Sequence, residues 1–264
     1  MSRFTRSLLI GMVAAAVPSL VLAADILPSP TPTPGPVSSA QQSAHLNRLK
    51  TNGAAEADRR RAALQDALSK VQGSTKLDAA TKKALTDQLQ AEITKLTTTE
   101  SKLGSETDLT SARIDAQTIF AEYGAYALLL SKAQLLAAAD RLVLAGGKLQ
   151  VITGHLEAKI NGAQTQGKDV TAAQKRLTDL KAKLAHAKLQ YDGLAAKAMP
   201  LTVADYANSH KALATEAVGL ATARSDFQVA LDDVNGIVSE LSNLKTATPT
   251  PSPSPSASPS PAAH

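Results

Sequence analysis

Proline falls almost entirely outside the middle of this chain. Of 13 prolines, Pro28, Pro30, Pro32, Pro34 and Pro36 crowd one segment, and six more lie between Pro249 and Pro261. Pro18 stands alone near the start, and only Pro200 falls between residues 37 and 245. Proline lacks a backbone N–H and clashes with the preceding helical turn, so roughly 200 residues are free of the strongest helix breaker except at one point. The residues of that stretch also favour helix. Ala, Leu, Lys and Gln dominate, and all are good helix formers. Only 3% of the residues are aromatic and tryptophan is absent. Strands, which draw on β-branched and aromatic side chains, have little to build with. The sequence therefore predicts an all-α fold.

The ends read differently. Arg3 and Arg6 precede Ser7–Ala24, an uncharged and mostly apolar run. With Val21, Leu22 and Ala23 before a cut at Ala23/Ala24, residues 1–23 read as a secretory signal peptide. The alternative is an uncleaved N-terminal anchor, since 18 uncharged residues only just reach spanning length. Pro18 and the Val-Leu-Ala site favour cleavage. Residues 24–38 read as a proline-rich linker, extended and semi-rigid. Residues 246–264 mix proline with Ser, Thr and Ala, offer no apolar face, and are expected to be disordered.

Between the ends, apolar residues recur at helical spacing. Val170, Ala173, Leu177, Leu180, Leu184, Ala187, Tyr191, Leu194 and Ala198 step by three and four throughout, a heptad seam. Thr171 and Gln174 have the spacing of a capping box at its start. A last helix, with Thr202 as N-cap, carries a seam of Val203, Tyr206, His210, Leu213, Ala217, Leu220, Arg224, Phe227, Leu231, Val234, Val238 and Leu241. A third long helix, about Tyr126–Ala163, is apolar on several faces in its first half, as expected of a helix buried among others. Residues 39–104 read as a helical hairpin, with Asn52-Gly53 as a break or kink, Gly73 as a stop and Asp78 as a cap. A short element over Asp108–Phe120 follows, with Gly124 either in a bend or inside a continuous helix. The short connections around Gly162–Asp169 and Met199–Thr202 require antiparallel neighbours. Residues 105–245 thus form a long-helix bundle. The expected architecture is an elongated antiparallel helical bundle or coiled coil of about five helices, with disordered proline-rich segments at both ends.

Composition narrows the chemistry. The formal charge is +5 and cysteine is absent. Without the leader, 26 basic and 23 acidic residues remain, with signs interspersed. No basic cluster with aromatics suggests nucleic acid. The absence of cysteine excludes disulfides, thiol nucleophiles and thiolate metal sites. The histidines, at positions 45, 155, 186, 210 and 264, show no metal-ligand spacing. His210 and Arg224 lie on a seam, where the structural readings are a core histidine and a register-fixing ion pair. Asp140-Arg141, in an apolar helix, reads as an ion pair at an interhelical contact, with a raised-pKa base as the rival reading. Gly146-Gly147 inside a helix permits close helix approach. Lys175, Arg176, Lys181, Lys183, Lys188 and Lys197 outnumber Asp179 and Asp192 on one helix, a face for anionic polymer or lipid headgroups, or simply a solvated one. No residue is put forward as catalytic, cofactor-binding or metal-binding, and no cofactor is expected.

The stretches Ala63–Val71, Ala91–Leu96, Tyr123–Leu130 and Leu136–Leu142 resemble uncharacterised secreted helical proteins from small-genome candidate-phylum bacteria. That resemblance covers most of residues 45–240 and implies export, a helical fold and a bacterial source. It brings no activity and no site residues. The expected role is an exported, non-enzymatic structural or interaction protein of the cell envelope or exterior. It would work through a protein partner or self-association of its helices. The alternative is an amphipathic helical protein that binds a lipid or membrane surface.

Overall fold

A computed structural model describes residues 38–244. Residues 1–37, on which the expected signal peptide and most of the expected linker fall, and residues 245–264, with the expected disordered tail, lie outside the described residues. Those described form α1 (Ser39–Gly73), α2 (Ala79–Ser105), α3 (Leu109–Ala121), α4 (Tyr123–Thr165), α5 (Thr171–Tyr191), α6 (Leu194–Ala198), a 3-10 turn (Val203–Asp205) and α7 (Tyr206–Ser242). No strand occurs among the described residues. The all-α class is thus observed, with five helices longer than 20 residues.

The chain divides into two compact units, residues 1–42 and 43–264. In the first, the described residues 38–42 open α1 with a capping box. Ser38 Oγ accepts the Gln41 N–H at 3.3 Å, and Gln41 Oε1 accepts the Ser38 N–H at 3.0 Å. Two orphan donors of the first turn are satisfied reciprocally.

In the second unit the long helices pack antiparallel in consecutive pairs. Across α5 and α7, Arg176 pairs with Glu240, Lys183 with Asp226 and Lys197, on α6, with Glu216, numbers rising on one side and falling on the other. Across α4 and α5, Glu157 meets Lys181 and Gln164 meets Gln174. Across α1 and α2, Arg61 meets Glu100. One continuous core joins α1, α2, α4, α5, α6 and α7, and includes Leu64, Leu89, Leu136, Leu149, Leu180 and Phe227. Each such side chain contributes roughly 2 kcal/mol by leaving water. A smaller cluster of Ala57, Leu103, Ala112, Ala116 and Ile119 fastens α3 to α1 and α2.

Several local expectations are corrected. Asn52-Gly53 does not break α1. The helix runs through it, and Gly53 is buried with Leu103 packed so closely that a Cβ there would lie 2.3 Å from Leu103 Cδ2. Gly73 is the last residue of α1 but does not take the left-handed conformation of a glycine stop. Thr171 and Gln174 form no capping box, because Thr171 is already the first helical residue. Asp169 Oδ1 accepts its N–H at 3.0 Å, and the Gln174 side chain bonds Gln164 instead. Gly124 lies inside α4, and the chain breaks one residue before that helix, at Glu122.

The seam predicted from Val170 to Ala198 is buried at every position except Tyr191, which is half-buried. Yet it is not one helix. Asp192 ends α5, Gly193 turns through φ +71°, and α6 resumes with Leu194 facing the same core. On α7 the inward stripe differs from the predicted one. Leu213, Leu220, Phe227 and Val234 are buried, but Ala223, Ala230 and Ile237 complete the stripe. Ala217, Val203 and Val238 are exposed. Thr202 is followed by the 3-10 turn rather than directly by an α-helix.

Candidate functional site

A cleft of about 480 Å³ lies between α2, α4 and the connection at Pro200. From α2 it takes Gln88, Ala91, Glu92 and Lys95. From α4 it takes Ala125, Leu128, Leu129 and Lys132. Both sets have the i, i+3, i+4, i+7 spacing of a single helix face, so two parallel stripes form the walls. Residues 199–203 close one side.

Lys132 holds that side in place. Its side chain is buried, at 5% exposure, and Nζ donates to Met199 O at 3.0 Å and Leu201 O at 2.5 Å. Proline cannot continue α6, so the carbonyls around Pro200 lack helical partners. An ammonium from α4 supplies them. Removal from water pushes the Lys132 amine below its ordinary value. On the facing wall, Lys95 Nζ pairs with Glu122 at 2.6 Å, and that bond raises its amine. Glu92 is half-buried, and its Oε1 meets no hydrogen-bond donor among the described residues. Burial pushes its carboxyl up, against the opposing pull of Lys95.

A second polar constellation lies where α1, α3 and α4 meet. Arg60 is 1% exposed. Its Nε donates to Glu56 Oε1 at 2.7 Å, and a terminal nitrogen donates to Ile119 O at 2.5 Å, near the C-terminus of α3. The guanidinium carbon lies 5.2 Å and 5.4 Å from the ring centres of Tyr123 and Tyr126. The cation thus meets a carboxylate, a helix C-terminus and two aromatic rings. Burial would raise the Glu56 carboxyl, but hydrogen bonds from Arg59 and Arg60 outweigh it and hold it low. Nothing in the sequence marked Arg60, because a charged residue in an apolar stripe of Gly53, Ala57 and Leu64 resembles a solvated one.

Asp140 does not pair with Arg141, which is exposed. Instead Asp140 Oδ1 accepts the backbone N–H groups of Lys76 at 2.5 Å and Leu77 at 2.9 Å, in the α1–α2 connection. The reading as an interhelical ion pair is replaced by a turn clamp. Arg224 is not the register charge of α7, since no carboxylate among the described residues pairs with it. That place belongs to Asp226, which is buried and bonded to Lys183 at 3.2 Å and His186 Nδ1 at 2.5 Å. Gly146 does permit close approach: a Cβ there would lie 2.9 Å from Tyr191 Oη, whereas Gly147 faces open space.

The histidines do not converge. His45 and His155 are exposed, His186 bonds Asp226, His210 is half-buried on α7, and His264 lies outside the described residues. No group of three metal-ligating side chains occurs among the described residues. On the basic face of α5 and α6, Arg176, Lys181, Lys183, Lys188 and Lys197 each contact a carboxylate. Most of that positive charge is locally neutralised. No described helix is long and apolar enough to cross a membrane.

The two constellations differ: the cleft is open and carries Glu92, Lys95, Lys132 and Thr202, whereas the Arg60 group is buried. The geometry supports ligand seating in the first and rigid fastening in the second. No protein-family model, no curated protein and no solved structure matches the chain.

Proposed function

We propose that this chain is an exported, non-enzymatic helical protein of the bacterial cell envelope or exterior, acting as a structural or interaction element. The observation that carries this reading is how the buried charges are used. Arg60, Lys132, Asp140 and Asp226 each join separate elements of the fold. Fixed junctions of this kind make a stiff support, on which a partner surface keeps its shape. Export rests on the leader-like residues 1–23, and proline-rich ends suit tethering. A protein partner or self-association is favoured over a lipid surface, because the basic residues of α5 and α6 are largely committed to carboxylates.

The test is crosslinking of intact producing cells, with mass spectrometry of the mature N-terminus and sedimentation of the purified protein. The expected result is a chain starting at Ala24, found outside the cytoplasm, in a discrete crosslinked complex or self-associated form. A solitary monomer with no crosslinked species, or an intact leader on a cytoplasmic chain, overturns the reading. Anionic liposomes at low salt should leave the protein unfloated; co-flotation would move the assignment to a membrane-surface protein.

A further inference from the structure

The second half of α4 carries two heptad stripes, and only one is covered. Gly146, Leu149, Thr153, Leu156 and Ile160 step by three and four along the buried side. Leu144, Gly147, Val151, Gly154 and Ala158 step by the same intervals along the opposite side. There Leu144 is half-buried and the other four are exposed, Val151 to 62%. A Cβ at Gly147 or Gly154 would meet nothing within 4 Å. A three-four step is the pattern that a neighbouring helix reads, and glycine lets its backbone approach.

A basic row flanks the exposed stripe. Arg141, Lys148 and His155 follow it at seven-residue intervals, all exposed, and Lys159 stands one turn beyond His155. The one acidic residue between 141 and 165, Glu157, is bonded to Lys181 of α5. No carboxylate among the described residues pairs with Arg141, Lys148 or Lys159. The junction of α5 with α7 shows what such a row meets elsewhere in this fold. Arg176 and Lys183, also seven apart, face Asp226, Asp233 and Glu240, acids at the same spacing on α7. Those acids are thereby spent. Residues 1–37 hold a single acid, Asp25, and residues 245–264 hold none, so the chain has no matching acidic row left for α4.

We propose that the exposed stripe of α4 docks an acidic amphipathic helix of another protein, with carboxylates at seven-residue spacing against Arg141, Lys148 and His155 and an apolar stripe laid on Val151 between Gly147 and Gly154. In heptad terms the basic row occupies the position beside the apolar seam where interhelical ion pairs select the partner. From Arg141 to Lys159 the surface runs about 27 Å, the length of five helical turns. Charge complementarity fixes the sign of the occupant, and the two matched periods fix its form. A lipid surface fits less well, because Leu144 and Val151 are the only large apolar side chains of the stripe, and interfacial helices insert several leucines or aromatic rings.

The inference rests on the interaction role proposed above and names the surface that performs it. Its test places a photoreactive phenylalanine analogue at Val151 or, as a control, at the exposed Val229 of α7, in the full chain in intact producing cells. Mass spectrometry maps the adducts. Val151 is expected to join one protein, at a segment with acids every seven residues beside apolar ones, and Val229 is not. Lys148→Glu with Lys159→Glu should remove that adduct at an unchanged unfolding temperature, and Lys148→Arg with Lys159→Arg should keep it. A synthetic peptide of the mapped segment should bind the purified chain about tenfold more weakly after the charge reversal, the sum of two exposed ion pairs. An adduct with lipid, glycan or a second copy of this chain overturns the assignment. So does a segment without that acid spacing, the same adduct from Val229, or an adduct or peptide affinity that survives the charge reversal. If Val151 gives no adduct while crosslinking of unmodified cells still yields a discrete complex, this surface is wrong and the interaction role stands; if neither yields one, both fall.

Discussion

At the scale of single residues, the cost of a charge depends on what surrounds it. Arg60 is buried, so removing it leaves the Ile119 carbonyl without its donor, takes one of two arginine partners from Glu56 and opens space beside two tyrosines. Arg60→Ala is expected to cost roughly 3 kcal/mol or more, as for other broken buried pairs. Arg60→Met, which keeps the packing, should cost clearly less. Chemical denaturation of the two variants separates the packing contribution from the charge. Glycines make the complementary case. Gly154 sits inside α4 with open space where a Cβ would go, so Gly154→Ala should stabilise by about 1 kcal/mol through helix propensity alone. Gly53→Ala makes the same gain but drives a methyl into the buried Leu103, and should be net destabilising by about 1 kcal/mol. Equal shifts in the two variants would contradict the close α1–α2 approach.

At the scale of elements, the spacing of apolar residues located the helices well and their inward faces less well. Leucines advertise a seam, but small residues do not. On α7 the leucines and Phe227 pointed to the stripe, while the alternation between Ala217 and Ala223 could not be decided by residue type. The true stripe takes Ala223, Ala230 and Ile237, because α7 must meet both α4 and α5. The α5–α6 break was legible: Asp192-Gly193 is a turn dipeptide. It was masked by a heptad pattern that continues across it, since the short α6 returns to the same core. The cleft was legible only as the lone Pro200. Its walls depend on which faces of α2 and α4 are left apart, and a single sequence does not encode that visibly.

The α5–α7 junction also carries a pH dependence. Burial would raise the Asp226 carboxyl, but hydrogen bonds from His186 and Lys183 outweigh this and hold it below the ordinary aspartate value. An acid depressed on folding adds stability that is complete above its unfolded pKa and is lost as pH falls through the folded value. The wild-type unfolding temperature should therefore drop steeply on the acid side of the usual carboxylate range. In Asp226→Asn that limb should be shallower, with lower stability at neutral pH. Parallel acid limbs in the two proteins would show that the pair contributes nothing.

At the scale of the whole molecule, the two hydrophobic clusters are unequal. The main core draws on six helices, whereas α3 is held by five small or medium side chains and a few polar contacts, among them Lys102–Asp115 at 2.8 Å. Stability is accordingly uneven, since local opening follows local burial. Native-state hydrogen exchange should find α3 amides opening by a sub-global route, well before those of α4, α5 and α7. A single global exchange limit shared by α3 and α4 would count against this.

Helix α4 serves two distant connections. Asp140 clamps residues 76–77 and Lys132 clamps residues 199–201, two turns of α4 apart. Rotating α4 by one residue swings each side chain about 100° around the axis. Both loops would then be left with naked amides or carbonyls at once. The register of α4 is thus pinned at two points, by one connection that precedes the helix in the chain and one that follows it.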